Sequence, residues 1–279
     1  MIWTLNRVLG GIFDAILSPF RTLPPIVGLA AVSLVVSIGL LIGFKAASDQ
    51  DALAAAKRRI HACVFEIRLF NDDLRAILRA QVGILRHTLV YFRLSIVPMA
   101  WLMVPMIVIL VQLQFHYGYG GLEPGHSVNV KVTLTDEAAA RAREAGDVDA
   151  SLEAATGIRV ETPLLWIASL GEADWRIVAE RPGSYDLVVR VGEESFSKSV
   201  LVTGDVVRRA PVRPSGIARQ LLNPVEAPLS AGAPIESITV DYPDGDVSLF
   251  GWRMHWLIAF FILTLVFALA LQRPLGVRL

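Results

Sequence analysis

The sequence is poor in charged residues and in cysteine. Only 19% of its 279 residues are charged, whereas 54% are hydrophobic and the mean hydropathy is +0.53. Soluble globular proteins carry about 25% charged residues, so this deficit indicates a chain that contacts lipid. The single cysteine, Cys63, excludes a disulfide framework and a cysteine-rich metal site. A formal net charge of zero excludes the strong positive field of a nucleic-acid-binding protein.

Sequence patterns of enzymes are missing as well. The chain contains no G-x-S-x-G, H-E-x-x-H, phosphate-loop or dinucleotide-binding pattern. His116 and His126 are ten residues apart, and no third ligand follows at metal-site spacing. We therefore predict no catalytic residue, no metal ligand and no cofactor, and we interpret the protein as a non-enzyme.

Three apolar stretches are long enough to cross a membrane, which takes roughly 20 residues of helix. We predict transmembrane helices at 25–45, 94–115 and 252–272, the last entered through Trp252 and Trp256. None has a charge at its centre, which argues against an ion pump. A cleaved signal peptide is the alternative reading of the first stretch.

The distribution of basic residues predicts the orientation of these spans. Residues 45–93 have nine basic residues against five acidic ones, whereas residues 116–250 have twelve against twenty. We therefore place 46–93 and the tail 273–279 in the cytoplasm, and the N-terminus and 116–250 outside. The predicted location is the inner (cytoplasmic) membrane, with the bilayer itself as a partner.

The N-terminal segment, residues 1–22, has apolar residues at three- and four-residue spacing. This pattern predicts an amphipathic helix that lies in the membrane interface, ended by Pro24 and Pro25. A disordered leader is the alternative.

Residues 46–93 have a helical pattern interrupted once, at Asn71-Asp72-Asp73, by residues that favour turns and helix N-caps. We predict two helices, about 50–70 and 73–92, folded as a hairpin that buries one apolar stripe on the other. A single bent helix continuing span two is the alternative. Basic side chains that could meet anionic headgroups are Lys57, Arg58, Arg59, Arg68, Arg75 and Arg79.

Span two carries two prolines and three methionines. Pro98 and Pro105 should kink or thin the helix. Methionine is flexible and polarizable, so a methionine stripe suits varied apolar partners. Met99, Met103 and Met106 lie on one such stripe, and ordinary lipid-facing or packing methionine is the alternative. Ser33 and Ser37, one turn apart in span one, could face Gln112 across a packed interface.

Residues 116–250 have the alternation of β-strands. His126–Leu134 alternates strictly, and the pattern recurs at 175–180, 185–191, 196–202 and 237–242. The Pro-Gly entry before Tyr185 looks like an immunoglobulin-type β-sandwich. We predict a helical insertion at 136–155 and an extended connection at 211–234.

The order of these segments resembles the minimal core of the YidC/Oxa superfamily of membrane insertases. The nearest likeness is to the three-span archaeal YidC-like proteins and to the insertase subunit of the endoplasmic-reticulum membrane complex. It lies in IRLFNDDLRAILRAQ (Ile67 to Gln81) and VPMAWLMVPM (Val97 to Met106), and it covers about half the chain, roughly 1–115 and 252–272. The resemblance implies a cytoplasmic hairpin that meets emerging hydrophobic segments, with nascent membrane proteins or the ribosome as partners. It also implies a partly polar intramembrane groove that contacts these clients, built from Ser33, Ser37, Met99, Met103, Met106 and Gln112.

The sequence thus predicts a three-span α-helical membrane protein with a cytoplasmic helical hairpin and an extracytoplasmic immunoglobulin-like β-sandwich. The first functional reading is a YidC/Oxa-like protein that assists insertion or assembly of membrane proteins. The second is a non-enzymatic envelope scaffold whose outer β-sandwich binds a protein or polysaccharide-export partner. A signalling receptor is a third reading, although no cytoplasmic output domain supports it.

Overall fold

The computed structural model describes residues 2–249 and 251–277, which contain seven α-helices and eleven β-strands. The helices are α1 (Ile2–Leu17), α2 (Pro25–Ala47), α3 (Gln50–Leu69), α4 (Leu74–Tyr117), α5 (Asp136–Ala145), α6 (Ile217–Leu222) and α7 (Trp256–Leu271). The strands are β1 (Ser127–Leu134), β2 (Ala150–Glu153), β3 (Ile158–Val160), β4 (Leu165–Ile167), β5 (Glu172–Ala179), β6 (Gly183–Val191), β7 (Glu194–Val202), β8 (Val212–Pro214), β9 (Ile235–Val240), β10 (Asp246–Leu249) and β11 (Trp252–His255).

The chain divides into two compact units. The helical unit comprises Leu29–Leu110 and the residues from Ile258 onward, and the β unit comprises Val111–Leu257 and the residues up to Gly28. Helices α2 and α4 are long and apolar enough to cross a membrane. Helix α7 is also apolar, but it has 16 residues and is shorter than the other two.

Small residues let the helices of the helical unit approach closely. A Cβ atom at Gly43 in α2 would stand 2.7 Å from Leu102 Cδ2 in α4. Leu41, Phe44 and Leu53 form a buried cluster with Val277. Close backbone approach at small residues is the usual way in which membrane helices pack, because lipid provides no hydrophobic drive.

Aspartate N-caps begin both helices that follow α2. The Asp49 carboxylate accepts hydrogen bonds from the backbone N–H groups of Asp51 and Ala52. Asp73 accepts in the same way from Arg75 and Ala76, so the interruption at 71–73 does start a new helix. The predicted first helix, 50–70, is confirmed to within one residue.

The second helix does not stop at residue 92. Helix α4 runs for 44 residues, through Pro98 and Pro105, so the second hairpin helix and span two are one element. The sequence offers no turn residue near 93, and proline is tolerated where a helix crosses a membrane. The break at 71–73 is thus as predicted, the predicted end at residue 92 is wrong, and the alternative of one helix across the whole segment is not observed.

The predicted mutual burial of the two apolar stripes is wrong. Leu78, Val82, Leu85 and Leu89 are all more than half exposed. Helix α3 instead approaches the small-residue face of α4, where Ala80 is buried and a Cβ atom at Gly83 would stand 2.9 Å from Cys63 Sγ. Small side chains permit that approach, and it turns the leucine stripe outward.

The β unit is built from antiparallel sheets. One has the order β3-β5-β1-β9-β8 with β4 also on β5, and a second has the order β2-β6-β7. Val130 lies opposite Trp175 in the first sheet, and Val189 lies opposite Phe196 in the second. Inward-facing residues of both sheets belong to one buried apolar cluster, which includes Val130, Trp175, Leu187 and Val200. The strands predicted at 126–134, 175–180, 185–191, 196–202 and 237–242 correspond to β1, β5, β6, β7 and β9.

Three predictions around the β unit need correction. The helical insertion ends at Ala145, because Gly146 takes a left-handed conformation (φ 78°) and β2 follows. The connection 211–234 contains β8 and α6 rather than extended chain alone. Residues 252–255 form β11, paired with β10, so the last helix begins at Trp256 rather than at 252.

Candidate functional site

The residues predicted to form a groove lie in different surroundings. Ser33 and Ser37 are fully buried, and the Ser37 hydroxyl lies within hydrogen-bond distance of Ser33 O (2.7 Å) and Thr264 O (3.0 Å). They therefore sit in the packing of α2 against α7. Gln112 belongs to the β unit and is also buried. Its backbone carbonyl oxygen lies 3.0 Å from His116 Nδ1, within hydrogen-bond distance.

The methionines are placed differently from the serines. Met99 and Met103 are about 60% exposed, and Met106 is half-buried. Their neighbours Trp101 and Val104 are more exposed still, and in the most apolar 18-residue window of α4 only 6% of the residues are buried. Most apolar side chains of α4 are therefore not covered by other parts of the chain.

The tip of the hairpin is also apolar. Leu69 and Leu74, on either side of the turn, are 75% and 68% exposed, and Phe70 lies between them. The predicted basic residues Arg68 and Arg75 adjoin this tip in the sequence, and both are exposed. Large apolar side chains exposed beside guanidinium groups are typical of a surface that meets other apolar molecules rather than water alone.

Two of the predicted basic residues line a cleft in the helical unit. Lys57 and Arg58 border a cavity of about 780 Å³ together with His61 and Arg273, and its apolar side includes Phe65 and Val277. Among the described residues that line it, none is acidic. The remaining predicted basic residues, Arg59, Arg68, Arg75 and Arg79, are exposed elsewhere on α3 and α4.

A polar cluster that the sequence did not reveal attaches α1 to the end of α4. Asp14 Oδ1 lies 2.8 Å from His116 Nε2, and the backbone N–H of Val206 donates to Arg21 O. Burial by itself raises the pKa of Asp14, but the hydrogen bond and charge of His116, with Arg208 and Arg21 nearby, leave that pKa below its usual value. Ile12 and Ile16 of α1 are half exposed, so this amphipathic helix keeps an uncovered apolar stripe.

A second unpredicted cluster lies in the β unit. Lys198 points from β7 into the apolar core, where its Nζ lies 2.5 Å from Glu226 Oε2 and donates to Ala210 O. Burial lowers the pKa of Lys198, and Glu226 opposes that change. Glu226 also accepts from the backbone N–H and the hydroxyl of Ser199. These contacts secure the connection between β8 and β9 to the second sheet.

In the described part of the chain, no group of three or more His, Cys, Asp or Glu side chains is placed to hold a metal ion. No protein-family model, curated protein or solved structure matches the chain.

Proposed function

We propose that this protein is anchored in a membrane and assists the insertion or assembly of other membrane proteins, in the manner of the YidC/Oxa insertases that it resembles. The observation that carries the proposal is the uncovered apolar face of α4. Its 44 residues extend about 66 Å at 1.5 Å per residue, whereas the hydrocarbon core of a bilayer is about 30 Å thick. The same helix therefore presents apolar side chains first in water and then in lipid.

A hydrophobic segment leaving the ribosome would meet the exposed hairpin tip first. Leu69, Phe70 and Leu74 offer it apolar contacts, and the adjacent arginines hold the tip near anionic headgroups, each contributing about 1 kcal/mol at the surface. From there the segment would reach Met99, Met103 and Met106 in the apolar part of α4. Methionine side chains adapt to different partners, which suits clients of varied sequence.

The burial of the two serines restricts which residues can contact a client. Because Ser33 and Ser37 are buried against α7, we assign client contact to the methionine face of α4 and not to these hydroxyls. The Ser37 hydroxyl instead makes hydrogen bonds within the helix packing, as hydroxyls do at membrane-helix interfaces.

The proposal includes three spans, α2, the apolar part of α4 and α7, with the N-terminus and the β unit outside the cytoplasm. At about 24 Å, the 16 residues of α7 are short for a span, and such a helix is accommodated by local thinning of the bilayer. Trp256 begins this helix, and the exposed Trp252 lies in β11 just before it, as tryptophan does at a membrane interface.

Thiol labelling of intact cells tests this orientation. In a Cys63→Ser background, a membrane-impermeant reagent should modify a cysteine introduced at the exposed Glu194 and spare one introduced at the exposed Arg59. The reason is the excess of basic residues in the first loop and of acidic residues in the second. Labelling of Arg59→Cys before permeabilisation, with Glu194→Cys protected, would reverse the topology.

Photo-crosslinking during protein synthesis tests the insertase proposal. A crosslinking amino acid at Met103 should capture nascent hydrophobic segments several-fold more often than one at Trp101, which is also exposed but lies about 160° further round the helix. Met103→Arg should reduce insertion of the same clients, because an arginine in the hydrocarbon region is unfavourable by at least about 2.5 kcal/mol. The β unit should stay folded, which protease resistance checks.

Equal capture of stable partners at both positions, with no nascent chain at either, would contradict the proposal. It would favour the second function, a scaffold whose immunoglobulin-like outer domain binds an envelope protein. Two observations support that alternative. The Tyr185 hydroxyl donates back to Arg181 O at 3.0 Å, as in the tyrosine corner of such domains. A wide groove of about 1230 Å³ also opens between α5 and the loop at 228–234.

A further inference from the structure

The first half of α4 carries a regular heptad of exposed apolar residues. Their spacing alternates four and three, and each side chain is between 46% and 66% exposed. The six residues, called the seam below, are Leu78, Val82, Leu85, Leu89, Phe92 and Ile96. Such a surface is stable in water only when another apolar surface covers it.

We propose that a second copy of this chain covers the seam, so that two α4 helices form a parallel, two-stranded, left-handed coiled coil. A 3.5-residue apolar repeat keeps facing a partner helix only if the two helices supercoil in this hand. This pairing does not rest on the insertion activity, and it ends before Pro98, where the methionine face begins.

The residue types of the seam favour a coiled coil of two helices. With Val82 at a core position of the a type, the d positions are Leu78, Leu85 and Phe92, and the a positions are Val82, Leu89 and Ile96, two of which are β-branched. Leucine at d with valine or isoleucine at a favours parallel dimers over trimers and tetramers.

The charges beside the seam fit a parallel copy. Each d residue is followed at position e by an arginine: Arg79, Arg86 and Arg93. In a parallel pair, Arg86 and Arg93 meet the uncharged Gln81 and Thr88 of the other copy, so no like charges oppose each other. An antiparallel pair would set arginine against arginine. Two copies inserted in one membrane share an orientation, which again makes their α4 helices parallel.

The seam is accessible because α3 occupies the back of α4. Ala80 and Gly83, where α3 approaches, fall at the f and b positions of the same heptad, opposite a and d. At about 100 Å² of apolar surface per side chain, the six residues hold about 600 Å² per copy, or about 1,200 Å² per pair, the lower end of stable specific interfaces.

Disulfide scanning of the full-length chain in its own membrane tests this proposal. In a Cys63→Ser background, Leu78→Cys, Leu85→Cys and Phe92→Cys should each give a covalent homodimer under mild oxidation. Val90→Cys is the matched control, because Val90 is exposed on the same helix but lies at position b. Dimer yield should be several-fold lower there, since the Cα atoms of paired cysteines must approach within about 7 Å.

Light scattering of the detergent-solubilised chain gives an independent result. The wild-type chain should have the mass of a dimer, and Leu85→Asp/Leu89→Asp should be a monomer with an unchanged β unit, since both side chains are exposed in the single chain. A monomeric wild-type chain, equal yields at Leu85 and Val90, or capture of a different protein at the seam would each overturn the proposal. None of these outcomes depends on client capture at Met103.

Discussion

Glu226→Ala should lower the free energy of unfolding of the β unit by about 3–5 kcal/mol, because it leaves a buried lysine without its counter-ion. The Lys198 side chain is completely buried, and it occupies an inward position of β7 between Phe196 and Val200. Its ammonium group would keep only the carbonyl oxygens of Ala210 and Ser199 as partners. Urea denaturation of the full-length chain, followed by protease resistance of the β unit, measures this loss.

Two matched variants separate the buried charge from other effects. Lys198→Met combined with Glu226→Leu should recover most of the lost stability, since an apolar pair of similar size removes both charges at once. Glu153→Ala breaks the exposed ion pair with Arg190 and should change stability by less than about 1 kcal/mol. If Glu226→Ala behaved like Glu153→Ala, the lysine would not depend on this carboxylate.

Local patterns in the sequence predicted the strands well. The alternation at 126–134 became β1, and the two runs separated by Gly192 became the β6–β7 hairpin, with Gly192 at a positive φ of 59°. Such patterns work because neighbouring residues on a strand face opposite sides of a sheet. Alternation places Lys198 on the inward face of β7 with Phe196 and Val200, but it does not identify the group that pairs with a buried lysine. Its partner Glu226 is 28 residues away in the proline-rich connection, and nothing in the sequence links the two.

The length of α4 and the start of α7 show where hydropathy fails. Hydropathy predicted a boundary at residue 94, because the chain changes there from charged to apolar residues. Residues on both sides favour helix, however, so α4 continues through this position. At 252–255, pairing with β10 across Gly251 gives a strand where hydropathy predicted helix. The methionines were found from sequence as a stripe. Their exposure, and the burial of Ser33 and Ser37, depend on which helix covers which face, and residue type does not specify this.

Arg209→Met should lower the free energy of unfolding of the β unit by at least about 3 kcal/mol, because it removes a buried guanidinium group that donates several hydrogen bonds. The guanidinium donates to the carbonyl oxygens of Tyr119 (3.1 Å), Thr203 (2.9 Å) and Asp205 (2.8 Å), and only 2% of the residue is exposed. The backbone N–H of Arg209 also donates to Phe115 O at 2.8 Å, so this residue joins the end of α4 to the segment after β7. The urea midpoint of the full-length chain, read by protease resistance of the β unit, measures the loss.

Arg209→Lys distinguishes charge from donor geometry in the same assay. Burial lowers the pKa of Arg209, with Tyr242 and Asp205 opposing that change, so charge alone is not what the site favours. A lysine keeps the charge but cannot reach three carbonyl oxygens with the planar geometry of a guanidinium, so it should restore little of the stability lost in Arg209→Met. Arg190→Met, at an exposed position, should change stability by less than about 1 kcal/mol. Wild-type stability in Arg209→Lys would contradict this account, because it would show that a single positive charge is sufficient to hold the three carbonyl groups together.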